Sequence, residues 1–390
     1  MSQGQWIGPR PTGLQIGIIF FVGIIGILIP GVQPVVLAAL LAEHRVDLTQ
    51  MGHAASVELL TMGAAAALAA AFLPPRRLPA IALITSLIMA AGNWATPFVM
   101  GEMVTLLRAL TGFTGGILIW VVASAIARSA TPERWAGIYL TVQTLTQLFF
   151  ATGMSLWVEP KWGAMGDFGL LAWASVVSAL AALLLPSSFV PLPKPEGSRS
   201  GVGGLPPPLG VAGLVVNFLL MMFIVSIWVY YDPIAHEAGL STKVSETAVS
   251  LSLGSQVLGG TAAVVFASRV RWYPALLICT LVDLAMVWIL GIRPSAVLFL
   301  VDAAIFGFIW IFILPFMVPM LIEADSSRRS AVLSSGVGLL GGSLGPTMAA
   351  MLISPENTHG ALWLGAGCLV VCFLIATALR MVIRPRTQIA

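Results

Sequence analysis

Of the charged residues inside apolar runs of this 390-residue sequence, three offer the most chemistry by type and position. Arg108 lies within 105–134, TLLRALTGFTGGILIWVVASAIARSATPER, just before Gly112, Gly115 and Gly116. A charge at membrane depth costs about 3 kcal/mol or more, so it needs a partner, a wet cavity or both. Glu58 lies at similar depth in a run that crosses in the same direction. An Arg108–Glu58 pair would satisfy both charges, and its carboxylate would take a proton when the pair opens. The guanidinium fork also suits a substrate carboxylate or phosphate directly. The structural alternative is a static ion pair that fixes helix packing. Asp302 is flanked by apolar residues and has no partner in its own run. It reads as a proton-binding site, or else as a protonated acid hydrogen-bonded to a neighbouring helix.

Uncharged polar and aromatic residues fill out the candidate set. Gln143 and Gln147 are one helical turn apart, as are Ser252 and Gln256. Asn217, and Gln33 beside Pro34, add further amides. Each is a candidate ligand contact, although such groups also join membrane helices to one another. Trp120, Trp228, Tyr231, Phe306 and Trp310 would form stacking walls for a ring or an apolar tail, or else pack and anchor the helices. Asp283 is mid-run and reads as structural. Asp232, after Tyr230 and Tyr231, reads as a solvated interfacial carboxylate or a gate. Glu102 suits a helix N-terminus.

The elements that must position these groups follow from composition. With 58% hydrophobic and 9% charged residues and a mean hydropathy of +0.98, the chain carries more apolar surface than a soluble core can hide. The runs are long and continuous, which excludes the short alternating strands of a β-barrel. Twelve spans are expected, at 14–42, 52–73, 79–98, 101–127, 135–158, 166–186, 209–231, 246–267, 274–291, 294–322, 329–353 and 360–383. Segment 187–208 is dense in Pro, Gly and Ser and reads as a linker. The expected organisation is therefore a six-helix bundle over 1–186, a cytoplasmic linker over 187–208 and a second bundle over 209–390.

Of the nineteen Lys and Arg residues, fourteen fall on the side of the two termini and four on the other, with Arg108 between. That bias places both termini in the cytoplasm of a plasma (inner) membrane. The basic residues are scattered rather than gathered on a face, so no nucleic-acid partner is expected. Cys279, Cys368 and Cys372 read as small buried hydrophobes; Cys368 and Cys372, one turn apart, lack a third metal ligand. The match of 341–345 to G-x-S-x-G lies inside an apolar run, without the strand-to-helix turn of a hydrolase. No lysine follows a glycine, so no P-loop exists to use ATP.

The halves echo each other. PPRRLP at 74–79 and SRVRWYP at 268–274 are short basic turns after spans two and eight. ARSATPER and IEADSSRR follow spans four and ten. Laid over one another, the halves put Arg108 opposite Asp302, and parallel six-span repeats mark one transporter architecture.

On these residues the chain resembles the major facilitator superfamily along nearly its whole length. Arg108 with Gly112 and Gly115 is similar to the fourth-helix motif of that superfamily. PPRRLP stands where the family has a Gly-x-x-x-Asp-Arg-x-Gly-Arg-Arg loop and keeps only its basic pair. Gly341–Gly345 with Pro346 is similar to an antiporter element of the fifth helix, placed here in the eleventh. The resemblance implies two bundles around a central cavity lined by spans one, four, seven and ten.

The expectation is an all-α, twelve-span, monomeric secondary transporter, not an enzyme, without cofactor or metal. Its partners would be the lipid bilayer, protons and a small amphipathic or aromatic solute, anionic ones included. Glu58, Arg108 and Asp302 would couple protons, and Arg108 with the amide and aromatic residues would bind substrate. The alternative is an uncoupled facilitator or flippase of a lipid-like solute.

Overall fold

The computed structural model describes residues 6–46, 48–192, 206–267, 269–353 and 358–383. Most of the expected linker lies outside them. The described residues are overwhelmingly helical, in fourteen α-helices. Eight helical segments among them are long and apolar enough to cross a membrane. Their outward faces carry large apolar side chains, such as Ile84, Trp173, Leu180 and Trp288, each more than half exposed. Such faces are satisfied by lipid. The chain is an integral, multi-pass membrane protein.

The helices fall into two compact units, one of residues 1–130 and 142–205, the other of 131–141 and 206–390. The first unit holds α1 (Gly13–Gly26), α2 (Ile29–Ala42), α3 (Leu48–Phe72), α4 (Leu78–Ala95) and α5 (Glu102–Arg128). It also holds most of α6 (Pro132–Gly153), and α7 (Glu159–Ala182). The second holds α8 (Pro208–Val229), α9 (Tyr231–Glu237), α10 (Thr242–Phe266), α11 (Trp272–Gly291), α12 (Ala296–Ala324), α13 (Arg329–Ala350) and α14 (His359–Ile383), with the first turns of α6.

Three spans depart from the sequence reading. The first, expected unbroken over 14–42, is interrupted at Ile27–Leu28. Pro30 has no N–H to give the Gly26 carbonyl, so the helical ladder stops there. The Gln147 amide donates to the freed Ile27 carbonyl at 2.8 Å. Spans five and six, expected as separate helices, run on as one helical path through a π turn at Met154–Val158, bent at Gly163. Gly163 has φ 56°, which glycine adopts without steric cost. The Glu43 carboxylate accepts from the Ala164 N–H at 2.8 Å and holds that bend.

Glycines set the closest helix crossings, and they do so equivalently in both units. A methyl on Gly112 of α5 would strike the Glu58 carbonyl of α3; one on Gly307 of α12 would strike the Ser252 carbonyl of α10. This register corrects the sequence superposition by one residue. Arg108 precedes its glycine by four positions and Asp302 by five, a difference of about 100° around a helix. The two charges are therefore directed differently within their units.

Candidate functional site

In the first unit, α5 carries Arg108 into a pocket made by α3, α4 and α7. The side chain is fully buried. Its Nη1 donates to Glu58 Oε1 at 3.3 Å. Its Nη2 donates to Thr96 Oγ1 at 2.6 Å and Asn93 Oδ1 at 3.0 Å, with the Gly92 carbonyl at 3.5 Å. The guanidinium also lies over the Phe168 ring, 4.9 Å from its centroid. The ion pair foreseen from depth alone is therefore present, inside a larger polar cluster. Thr111, one turn beyond Arg108, donates to Glu58 Oε1 at 2.7 Å. Glu58 Oε2 makes no hydrogen bond. The Gln33 amide stands near this carboxylate and donates to the Ala55 carbonyl at 3.4 Å.

A cavity of about 20 Å³ opens beside Glu58, walled by Gly26, Leu28 and Ile29 of the α1–α2 break and by Met62, Asn93 and Ser175. By volume it holds about one water.

In the second unit, α12 presents Asp302 to the start of α9. The Tyr231 hydroxyl donates to Asp302 Oδ2 at 2.5 Å, and Oδ1 has no partner. Tyr231 stacks on Phe306 at 5.9 Å and lies 4.8 Å from Phe299. Phe306 continues to Trp310 at 6.0 Å, and Trp310 meets Trp228 edge-on at 5.5 Å. Four of the five aromatic residues singled out in the sequence thus form one chain of ring contacts, which meets Asp302 through Tyr231. The fifth, Trp120, is buried in α5 of the first unit. Asp283 on α11 is also buried, with a free Oδ1, and lies within electrostatic reach of Asp302.

The amides divide into engaged and available groups. The Gln147 donor is committed to the helix break, and the Asn217 amide donates to the Ser334 carbonyl at 2.7 Å, tying α8 to α13. In each, one amide N–H is taken up by helix packing. Gln143 Oε1 and Gln256 Nε2 are buried and unpartnered, which leaves them able to bind a ligand. Glu102 occupies the first turn of α5, as its charge favours. The side chain of Asp232 lies outside the described residues.

Sequence reading missed Asn93, Thr96, Thr111, Phe168 and Phe299. Asn93 and Thr96 are polar residues ending an otherwise apolar run, which was the available signal. It also missed Asp167, wholly buried with neither oxygen bonded and with Glu43 and Glu159 nearby. Among the described residues, no three His, Cys, Asp or Glu side chains gather into a metal site.

No protein-family model matches the chain, and no curated protein does either. Solved structures do. The chain is similar to a major facilitator superfamily transporter, FucP, in the outward conformation, with TM-score 0.72 and 14% identity over 94% of this chain and 97% of that one. A second structure, of the E. coli fucose:proton symporter FucP, matches at TM-score 0.70 and 13% identity over 95% and 99%. The human organic anion transporter TETRAN matches at TM-score 0.69 and 14% identity over 94% and 100%. The chain has the fold of major facilitator superfamily transporters.

Proposed function

We propose that this chain is a secondary transporter that moves a small amphipathic or aromatic solute by alternating access, driven by protons. One observation carries the reading. Each unit holds a buried acid with one oxygen satisfied and the other free: Glu58 against Arg108, Asp302 against Tyr231. A fully ion-paired, fully bonded carboxylate would be structural. A half-satisfied one can accept a proton without losing every partner, which suits a group that must change charge during a cycle.

The aromatic cluster of Trp228, Tyr231, Phe306 and Trp310 supplies flat apolar faces beside Asp302, and Gln143 and Gln256 supply hydrogen-bonding capacity. Arg108 has its Nη donors engaged within its own unit. Its buried Nε has no partner, so the guanidinium keeps a donor for a solute anion while it holds and releases Glu58. Two structural neighbours are named as a fucose:proton symporter and an organic anion transporter, which supports transport of a polar organic solute and proton drive. The basic-residue bias supports twelve crossings with both termini cytoplasmic.

The test is uptake into proteoliposomes under an imposed pH gradient, using a solute found by thermal-shift screening. Glu58→Gln and Asp302→Asn should each abolish accumulation driven by the gradient. Unchanged accumulation in the presence of an uncoupler would rule out proton drive.

A further inference from the structure

The cavity at the α1–α2 break has a chemistry that the ion pair alone does not explain. It is walled on one side by Ile25, Gly26, Leu28 and Ile29, where Pro30 has ended the helical ladder. On the other side stand Glu58, Asn93, Thr111 and Ser175. Glu58 Oε2 is buried and makes no hydrogen bond. Asn93 and Thr111 already spend their stronger bonds on Arg108 and Glu58 Oε1, while Ser175 accepts a long contact of 3.4 Å from the Asn93 amide. The space, about 20 Å³, admits one water and no organic solute. A metal cation is disfavoured because the Arg108 guanidinium bonds the same carboxylate at 3.3 Å. Arg108 is the charged group that acts on Glu58, and Thr111 and Gln33 are the polar ones.

We propose that this cavity is a proton-delivery site, in which one water bonds Glu58 Oε2 and passes its proton there. The balance is simple. A hydronium in the cavity gives one proton to the Oε2 lone pair and returns to water, the carboxylate becomes a neutral acid, and Arg108 keeps its charge but loses its ionic partner. This inference rests on the proton-coupled reading of Glu58.

Two methionines make the site testable without any solute. Met62 and Met89 line the cavity and are 0% and 5% exposed, whereas Met154 and Met320, both 0% exposed, do not line it. Millisecond X-ray radiolysis generates hydroxyl radicals from bound water, and these oxidise methionine sulfur beside them. In the purified full chain, Met62 and Met89 should oxidise several-fold faster than Met154 and Met320. Ser175→Leu, or Leu171→Phe if the first variant folds poorly, should fill the space and bring the two rates down to the slow pair. Equal slow rates in the unaltered chain would overturn the water site. Infrared difference spectra after a pH jump should show a carboxyl band that Glu58→Gln removes and that filled variants acquire several-fold more slowly. A band that appears as fast in the filled variants would overturn delivery through this cavity while leaving proton coupling by Glu58 intact. Absence of any Glu58 band would overturn both readings, and fast Met62 and Met89 oxidation would then mark only a structural water.

Discussion

The Tyr231 hydroxyl donates to one oxygen of Asp302 at 2.5 Å, while the other oxygen of the same buried carboxylate has no partner. Asp302 is thereby oriented without being neutralised by a cation, the reverse of Glu58, which meets Arg108 directly. The two units use different means to keep an acid half-satisfied.

Tyr231→Phe deletes the donor and leaves a second Asp302 oxygen buried without a bond. A loss of about 1–3 kcal/mol is expected for such a group. The variant should melt several degrees lower in detergent and transport more slowly under a pH gradient. A melting temperature equal to that of the unaltered chain would show that the bond contributes nothing.

Arg108→Ala leaves Glu58 buried without its counter-charge, at a cost of about 3–5 kcal/mol. Arg108→Lys should restore little, because the fork uses Nη1 toward Glu58 and Nη2 toward Asn93 and Thr96, and a single ammonium cannot reach both sides. The double variant Arg108→Met with Glu58→Leu removes both charges and should recover most of the folding yield, measured by size-exclusion chromatography, without recovering pH-driven uptake. Recovered pH-driven uptake in that double variant would mean that the pair is structural.

Gly112→Ala puts a methyl against the Glu58 carbonyl and the Thr61 hydroxyl. Overpacking of this kind costs about 1–3 kcal/mol. Gly17→Ala in α1 meets nothing within 4 Å and should be neutral or stabilising by up to about 1 kcal/mol, from helix propensity. Thermal melting of the two variants side by side checks the difference in sign.

Glu237, beyond the end of the seventh span, accepts from both the N–H and the hydroxyl of Thr358 at 2.6 Å and lies near His359 and Arg293. Burial pushes its carboxyl up, but the Thr358 bonds, with His359 and the Arg293 bond, outweigh that and hold it below the ordinary value of 4.5. A depressed carboxyl contributes stability above that ordinary value and loses it as pH falls through the folded-state value. Glu237→Gln should therefore lower the melting temperature at neutral pH, and the gap to the unaltered chain should close in acid. A gap independent of pH would show that the effect is not ionic.

The sequence made the membrane class, the helical runs and the Arg108–Glu58 pair legible, because hydropathy and depth are additive along a chain. The break at Ile27–Leu28 was not, since a 20-residue window averages over the one missing donor at Pro30. The bond from Gln147 to the Ile27 carbonyl was hidden for the same reason, since that carbonyl is freed only once the helix is broken. The one-residue offset between Arg108 and Asp302 was hidden because loop lengths differ between the halves, and only the crossings at Gly112 and Gly307 fix the register. The clustering of Trp228, Tyr231, Phe306 and Trp310 was half-legible. Their spacing puts Phe306 and Trp310 on one face of α12, but Tyr231 reaches them only through the turn into α9.

Proton coupling through the two acids is the central claim, and gradient-driven uptake by Glu58→Gln and Asp302→Asn proteoliposomes tests it most directly. Both variants should lose accumulation under an inward proton gradient while still exchanging labelled for unlabelled solute at equal pH. Accumulation equal to that of the unaltered chain in either variant would contradict the account.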